Sequence, residues 1–430
     1  MSLRNFPDAN TSITLDFLKG KKLDPRITFE RASSATEIGE GTGAVNGQLF
    51  EFQENVPRLT DQGLLVEEAR TNVELNSATL GDWTRNELTE ATNNQVAPDG
   101  TTTSSTFTVT TTDAGHNLEM SWQNGGGSPP YPRPTYSVFV KPGTAKKIFI
   151  FDPNNARAAF DFTTSNPVVV HAHKLSNIDT AATCQSYGNG WYRISVSSSS
   201  SAWQSHNVYI GVYSTLPTGF GTDGVVIALS DFDYAGTGET VAFWGVQREQ
   251  PRSSTPVPPT SYIPTSGTTA TRAPDLCEIT GDEFSSWYNQ GEGTFVVSAT
   301  PPNAPTFAPF FTVASSSNLS FQNIGIWRYQ NTSVVAGKRI EVFNRGSSSI
   351  TTIELSPEND GVPFKAAVGY GTNIAASYDG GTVSSDTLQA VSPDILCIGA
   401  RGTYADLTYI SRISYYPTRV SDDALEALTS

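Results

Sequence analysis

Three short constellations in this 430-residue chain have residue types and spacings that could do chemistry. Asp231-Phe-Asp233 would place two carboxylates on one side of a strand, because residues i and i+2 share a face. That geometry suits a calcium ligand pair or the two acids of glycoside hydrolysis; a polar strand edge is the competing reading, and the favoured one. Glu354, Glu358 and Asp360 lie beside Pro357 and read as a solvated acidic loop. His171-Ala-His173 has metal-ligand spacing, yet the chain has only four His in all and no Cys or acid partner lies close by, so an exposed strand face is favoured. No Gly-x-Ser-x-Gly elbow, phosphate-cradling Gly-rich loop or His-Glu-x-x-His occurs.

Sugar recognition needs none of these groups. It uses aromatic faces that stack on pyranose rings, helped by amides and hydroxyls, and works without a shifted titratable group. Trp122, Tyr131 and Tyr136 flank a Gly/Pro loop at 123–134, and Trp203 follows a serine run at 197–201. These four are the candidate glycan-binding residues. Trp191 and Trp244 fall within strand patterns and are assigned to the core.

The elements that would position such residues are strands. Apolar alternation marks strands at 105–111, 168–173, 191–197, 208–213, 225–229 and 241–247. The runs 136–141 and 147–152, separated by Pro142-Gly143, read as a hairpin. Further strands are expected at 293–299, 324–329, 339–343, 350–355, 365–370, 374–378, 395–399 and 408–416, with a turn at Asp379-Gly380-Gly381. Ser421 followed by Asp422 and Asp423 caps one short closing helix. Residues 1–75 carry only short apolar stretches and read as an extended arm; 76–262 form a first β-sandwich, 263–276 a Pro/Thr-rich linker, and 277–430 a second sandwich.

Composition agrees with this pattern. Only 16% of residues are charged while 10% are aromatic, with 36 Gly and 26 Pro, which argues against disorder and against helical bundles. The net charge of -15 repels phosphate backbones, so nucleic acid is not an expected partner. No run of eighteen apolar residues and no apolar leader is visible, so neither membrane insertion nor export is expected. Three widely spaced cysteines, Cys184, Cys277 and Cys397, fit buried free thiols.

Several stretches look like parts of one family. Leu23-Asp-Pro-Arg-Ile-Thr-Phe-Glu-Arg-Ala-Ser33, with Val56-Pro-Arg58 and Gly63-Leu-Leu-Val-Glu-Glu-Ala-Arg-Thr-Asn72, resembles the N-terminal module of tailed-bacteriophage structural proteins of the tail-fibre, spike or capsid-surface type. Trp244-Gly-Val-Gln-Arg-Glu249, Pro259-Thr-Ser-Tyr-Ile-Pro-Thr-Ser266 and Thr271-Arg272-Ala273 resemble the last strand and exit of their carbohydrate-binding-like jelly roll. Residues 410–428 resemble the closing strand and helix of a laminin-G or concanavalin-A-like sandwich.

The expectation is therefore an all-β chain, an extended N-terminal arm followed by two antiparallel jelly-roll sandwiches. The resemblance implies a virion structural protein made in the host cytoplasm, docked to other virion proteins through the arm, homotrimeric, and binding host-surface glycan without cleaving it. Capsid decoration and polysaccharide depolymerisation are the alternatives. No cofactor is expected; calcium is the one candidate ion, with no ligands assigned.

Overall fold

In a computed structural model the described residues are 11–19, 22–38, 48–120, 134–153, 156–172, 180–199, 207–249, 257–301, 308–317, 323–330, 338–346, 349–357, 361–401, 404–405 and 407–430. Antiparallel sheet dominates, and the described α-helices are Gly281–Ser285 and Asp422–Thr429. The chain divides into two compact units, each interrupted in sequence: 1–34, 52–69 and 273–430 form one, 35–51 and 70–272 the other.

In the unit built on 70–272, one sheet runs Thr180–Gly188, Trp191–Ser198, Thr135–Pro142, Thr240–Glu249, Ser104–Val109, Leu88–Gln95. The other runs Val168–Ala172, Arg157–Asp161, Lys147–Phe151, Val208–Val212, His116–Met120, Thr84–Asn86. Alternate residues of both sheets meet in one core: Val138, Val140, Ile194 and Phe243 from the first, Ile148, Ile150, Phe160 and Ile210 from the second. Period-two burial on facing sheets is what the apolar alternation predicts.

Two local expectations are corrected here. The strands around Pro142-Gly143 are not a hairpin, since Thr135–Pro142 and Lys147–Phe151 lie in different sheets. The connection instead turns against Thr240, whose carbonyl accepts from Ala145 N at 3.0 Å; a Cβ on Gly143 would collide with that carbonyl. Residues 225–229 are not a strand. The Arg157 guanidinium binds the carbonyls of Gly219, Phe220, Thr222 and Val225, satisfying with a side chain what a ladder would otherwise supply.

In the other unit, the first sheet runs Ser384–Asp386, Ile374–Tyr378, Phe364–Tyr370, Gly293–Thr300, Thr408–Tyr416, Gly63–Val66, Arg58–Thr60. The second runs Thr28–Glu30, Leu276–Thr280, Ile395–Ile398, Ala308–Ala314, Asn323–Gln330, Lys338–Arg345, Ile350–Pro357. Phe295, Val297, Val368 and Ile413 share a core with Phe311, Val313, Ile326, Ile340 and Val342. The closing helix covers the reverse of the first sheet with Leu425 and Leu428, and Ser421 Oγ accepts from Ala424 N as expected of its cap.

The described strands of the first 75 residues do not stand apart as an arm. Ile13–Asp16 and Gly63–Val66 pair with Thr408–Tyr416, and Thr28–Glu30 pairs with Leu276–Thr280. A fully buried ion network fixes this insertion: Arg58 reaches Glu67 and Asp275 at 2.5 Å each, and Arg31 reaches the other Asp275 oxygen at 3.1 Å. Asp275 also accepts from Glu67 N at 2.8 Å, and Asp275 N donates to the Glu67 carbonyl at 2.9 Å. The segment around 263–276, expected as a spacer, carries the strand Ala270–Arg272 paired with Arg70–Asn72.

Removing one member of a buried ion network leaves an uncompensated charge, at a cost of about 3–5 kcal/mol. Arg58→Ala should lower unfolding stability in urea by that amount, and Arg58→Lys, which lacks the planar fork, should recover only part of it. A superimposable Arg58→Ala curve would contradict the role given to the network.

Candidate active site

The sheet ending in Ile350–Pro357 sends Ile340, Val342 and Ile353 into the core, so the intervening positions face the other way. On that opposite face the register sets Trp327, Glu341 and Glu354 side by side across three strands. A register shift between Ile340 and Glu341 adjusts the last pairing, the kind of irregularity that re-aims a side chain. Glu354, read from sequence as part of an acidic loop, is therefore a strand residue opposite another carboxylate. Glu358 and Asp360 lie outside the described residues.

The two acids differ in surroundings. The Glu341 side chain is 3% exposed and that of Glu354 is 62% exposed. Arg339 sits between them, Nε donating to Glu341 at 3.0 Å and Nη1 to Glu354 at 3.2 Å. Burial raises the Glu341 carboxyl above its ordinary 4.5, and the Arg339 charge opposes but does not cancel that effect. Trp327 is fully buried and its ring lies 5.7 Å from Phe343, so it forms a wall and not a stacking platform. A Cβ on Gly325 would approach the indole nitrogen to 2.8 Å, so the missing side chain gives the indole its place. Two carboxyls with contrasting environments, one held toward the acid form and one solvated, are the elements of acid–base work on a glycosidic bond.

The other sequence candidates go elsewhere. Tyr136 is buried at 8% exposure in the core, its hydroxyl donating to Asp152 at 2.8 Å, so its ring is closed to a sugar. Trp122, Tyr131 and Trp203 lie outside the described residues. Asp231 and Asp233 do not share a strand face: Asp231 lies in the 3-10 turn Leu229–Phe232, where its carboxylate accepts from Ala228 N at 2.8 Å. His171 is exposed, with Nδ1 3.0 Å from the Thr180 hydroxyl, and His173 lies outside the described residues. Buried His116 has a carbonyl oxygen 2.9 Å from each ring nitrogen, those of Glu87 and Tyr234, and serves as a strut. Among the described residues no group of three or more His, Cys, Asp or Glu is arranged to hold a metal ion, and no helix is long and apolar enough to cross a membrane. Trp191 and Trp244 are core residues, as their strand positions imply. Cys277 and Cys397 are buried and Cys184 is half-buried, and none is disulfide-bonded.

Glu341 and Arg339 escaped the sequence reading because neither forms a motif along the chain. Their meaning comes from cross-strand register, and the only local signal was a charged residue between Ile340 and Val342.

No family model and no curated sequence matches the chain. Solved structures do. The carbohydrate-binding module CBM40 of the Ruminococcus gnavus IT-sialidase, bound to alpha2,3 sialyllactose, is 17% identical, covering 34% of this chain and 88% of that one at a TM-score of 0.29. The NanB sialidase of Streptococcus pneumoniae is 14% identical over 35% of this chain and 26% of its own, also at 0.29. A Trypanosoma rangeli sialidase in complex with the inhibitor DANA is 8% identical over 76% of this chain and 60% of its own, at 0.27. The likeness, to sialidases and a sialidase module, is distant, and the expectation of a non-enzymatic chain, whether adhesive or capsid-decorating, is not carried further. It assigns no residue and no substrate.

Because the folded Glu341 carboxyl titrates above its unfolded value of 4.5, its ionisation opposes folding. The stability it allows is intact below pH 4.5 and falls as the pH rises through the folded value. Glu341→Gln should thus gain thermal stability relative to the parent as the pH rises above 4.5, with the difference vanishing at the acid end. Parallel Tm-versus-pH profiles for the two proteins would contradict the assignment.

Proposed function

We propose that the chain is a polysaccharide depolymerase that hydrolyses a glycosidic bond at the Glu341–Glu354 pair. Glu341, buried and biased toward the protonated form, gives its proton to the leaving oxygen. Glu354, solvated and directly opposite, acts on the anomeric carbon or on the attacking water. Arg339 holds both carboxyl groups in place. The supporting observation is the contrast between the two acids at one cross-strand position, 3% against 62% exposed.

The motifs at 23–33, 56–58 and 63–72 support a setting on a tailed-phage particle, where cleaving a host-envelope polysaccharide opens a path to the cell. Two facing sheets in each unit support the jelly-roll reading for both, with the 70–272 unit as the carbohydrate-binding-like one. A homotrimer attached to other virion proteins completes this proposal.

The test is release of reducing ends from purified host-envelope polysaccharide. The intact chain should release them, and Glu341→Gln should lower the rate by about 10²–10⁴-fold, the usual contribution of a general acid. Glu354→Gln should be impaired likewise, with circular dichroism unchanged in both. Undiminished release by both variants, or no release by the intact chain from any polysaccharide its host displays, would overturn the proposal.

A further inference from the structure

Most buried polar groups of the 70–272 unit are closed on one another. Asn72 donates to the carbonyls of Val246 and Ile263 and accepts from Glu74 N and Arg248 N, using its full capacity. Gln247 binds Ile263 N and the carbonyls of Thr260 and Ser261, and Glu249 binds Thr260 through both its backbone N and its hydroxyl. These groups hold the chain together and have nothing left for a ligand.

One cavity in this unit differs. Its volume is about 140 Å³, and it lies between the stretch 96–100, the turn at Asn189 and the end of the Thr135–Pro142 strand. Its apolar side is Val96, Ala97, Pro98 and the edge of Trp191, whose indole nitrogen is committed to the Val96 carbonyl at 3.0 Å. Val96 is 57% exposed, an apolar lip open to solvent. Lys141, Asn189 and Gln48 supply the polar side. Gln48 uses its amide nitrogen on the Asp99 carbonyl at 3.0 Å, which leaves its carbonyl oxygen to accept. Lys141 has no carboxylate within ion-pair reach and Asn189 no side-chain hydrogen bond among the described residues.

A cation, an amide and an amide carbonyl thus line one apolar-walled hollow without spending themselves on the protein. The backbone around them is preset. Asn189 holds a positive φ of 49° in the turn joining Thr180–Gly188 to Trp191–Ser198, and Gly100, at φ 83°, leaves the space beside Gln48 clear of a Cβ. Drug-sized ligands occupy pockets of roughly 300–1,000 Å³, so a hollow this size takes one small ring and no more.

We propose that this cavity binds a single acidic sugar residue, a pyranose carrying a carboxylate. Lys141 pairs with the carboxylate, Asn189 and Gln48 bind ring hydroxyls, and Val96 and Pro98 cover the apolar C–H face. The chain's net charge of -15 does not draw anions by long-range attraction, so preference for the acidic sugar depends on Lys141. The site is remote in sequence from Glu341 and stands independently of whether that pair cleaves glycans.

The test is titration of the full chain with sodium glucuronate and with glucose, followed by ligand-observed NMR. Glucuronate should bind at least about tenfold more tightly than glucose in low salt, a margin of 1.4 kcal/mol. Lys141→Gln should abolish that preference. Asn189→Gly, which keeps the left-handed turn while removing the amide, should weaken glucuronate binding with the fold intact by circular dichroism. Glu341→Gln should bind glucuronate as the parent does, which separates failure of this site from failure of the cleavage site. Equal affinity for the two sugars, no binding of either, or glucuronate binding unchanged in Lys141→Gln would overturn the proposal.

Discussion

Four charged side chains with no exposure to water, Arg31, Arg58, Glu67 and Asp275, determine how the interrupted unit closes. Desolvating such groups is expensive, and their mutual attraction roughly balances that cost, so the network adds little net stability compared with a packed apolar cluster. What it adds is discrimination. Asp275 precedes the Leu276–Thr280 strand, and Glu67 follows the Gly63–Val66 strand. Any other pairing of these segments would leave a charge buried alone. The network therefore selects the register in which Thr28–Glu30 and Gly63–Val66 complete the two sheets of that unit.

A related device recurs in the other unit. Asn72, Gln247 and Glu249 bind backbone groups of 246–248 and 260–263 with nearly all their capacity, so residues 260–263 are held against the Thr240–Glu249 strand. The polar residues of both sets thus engage the chain's own backbone and counter-charges. Their chemistry is architectural. Catalytic groups have to be sought where polar side chains differ in environment, and Glu341 beside Glu354 is such a place.

The β character, the closing helix with its Ser421 cap and the core positions of Trp191 and Trp244 were legible in the sequence, because each depends on periodicity or on a contact within a few residues. The Pro142-Gly143 connection was misread as a hairpin because a turn signal does not say which sheet receives the next strand. The 225–229 stretch was misread because Arg157, some seventy residues away, takes the Val225 carbonyl as a hydrogen-bond partner. The site was least legible. Asp231 and Asp233 have the right spacing in sequence and the wrong backbone, whereas Glu341 and Glu354 have no motif and meet only through register. Tyr136 has the type of a sugar platform, but its strand turns it toward Asp152 and the core. Spacing along a chain finds sites that are local; these depend on strand pairing.

The most direct measurement of the central claim is a crystal structure of the Glu341→Gln chain soaked with an oligosaccharide of the host-envelope polysaccharide. The account predicts a glycosidic oxygen within hydrogen-bond distance of residue 341, with Glu354 across the bond on the other side. Sugar density confined to other surfaces, with the 341–354 face unoccupied at saturating ligand, would contradict it.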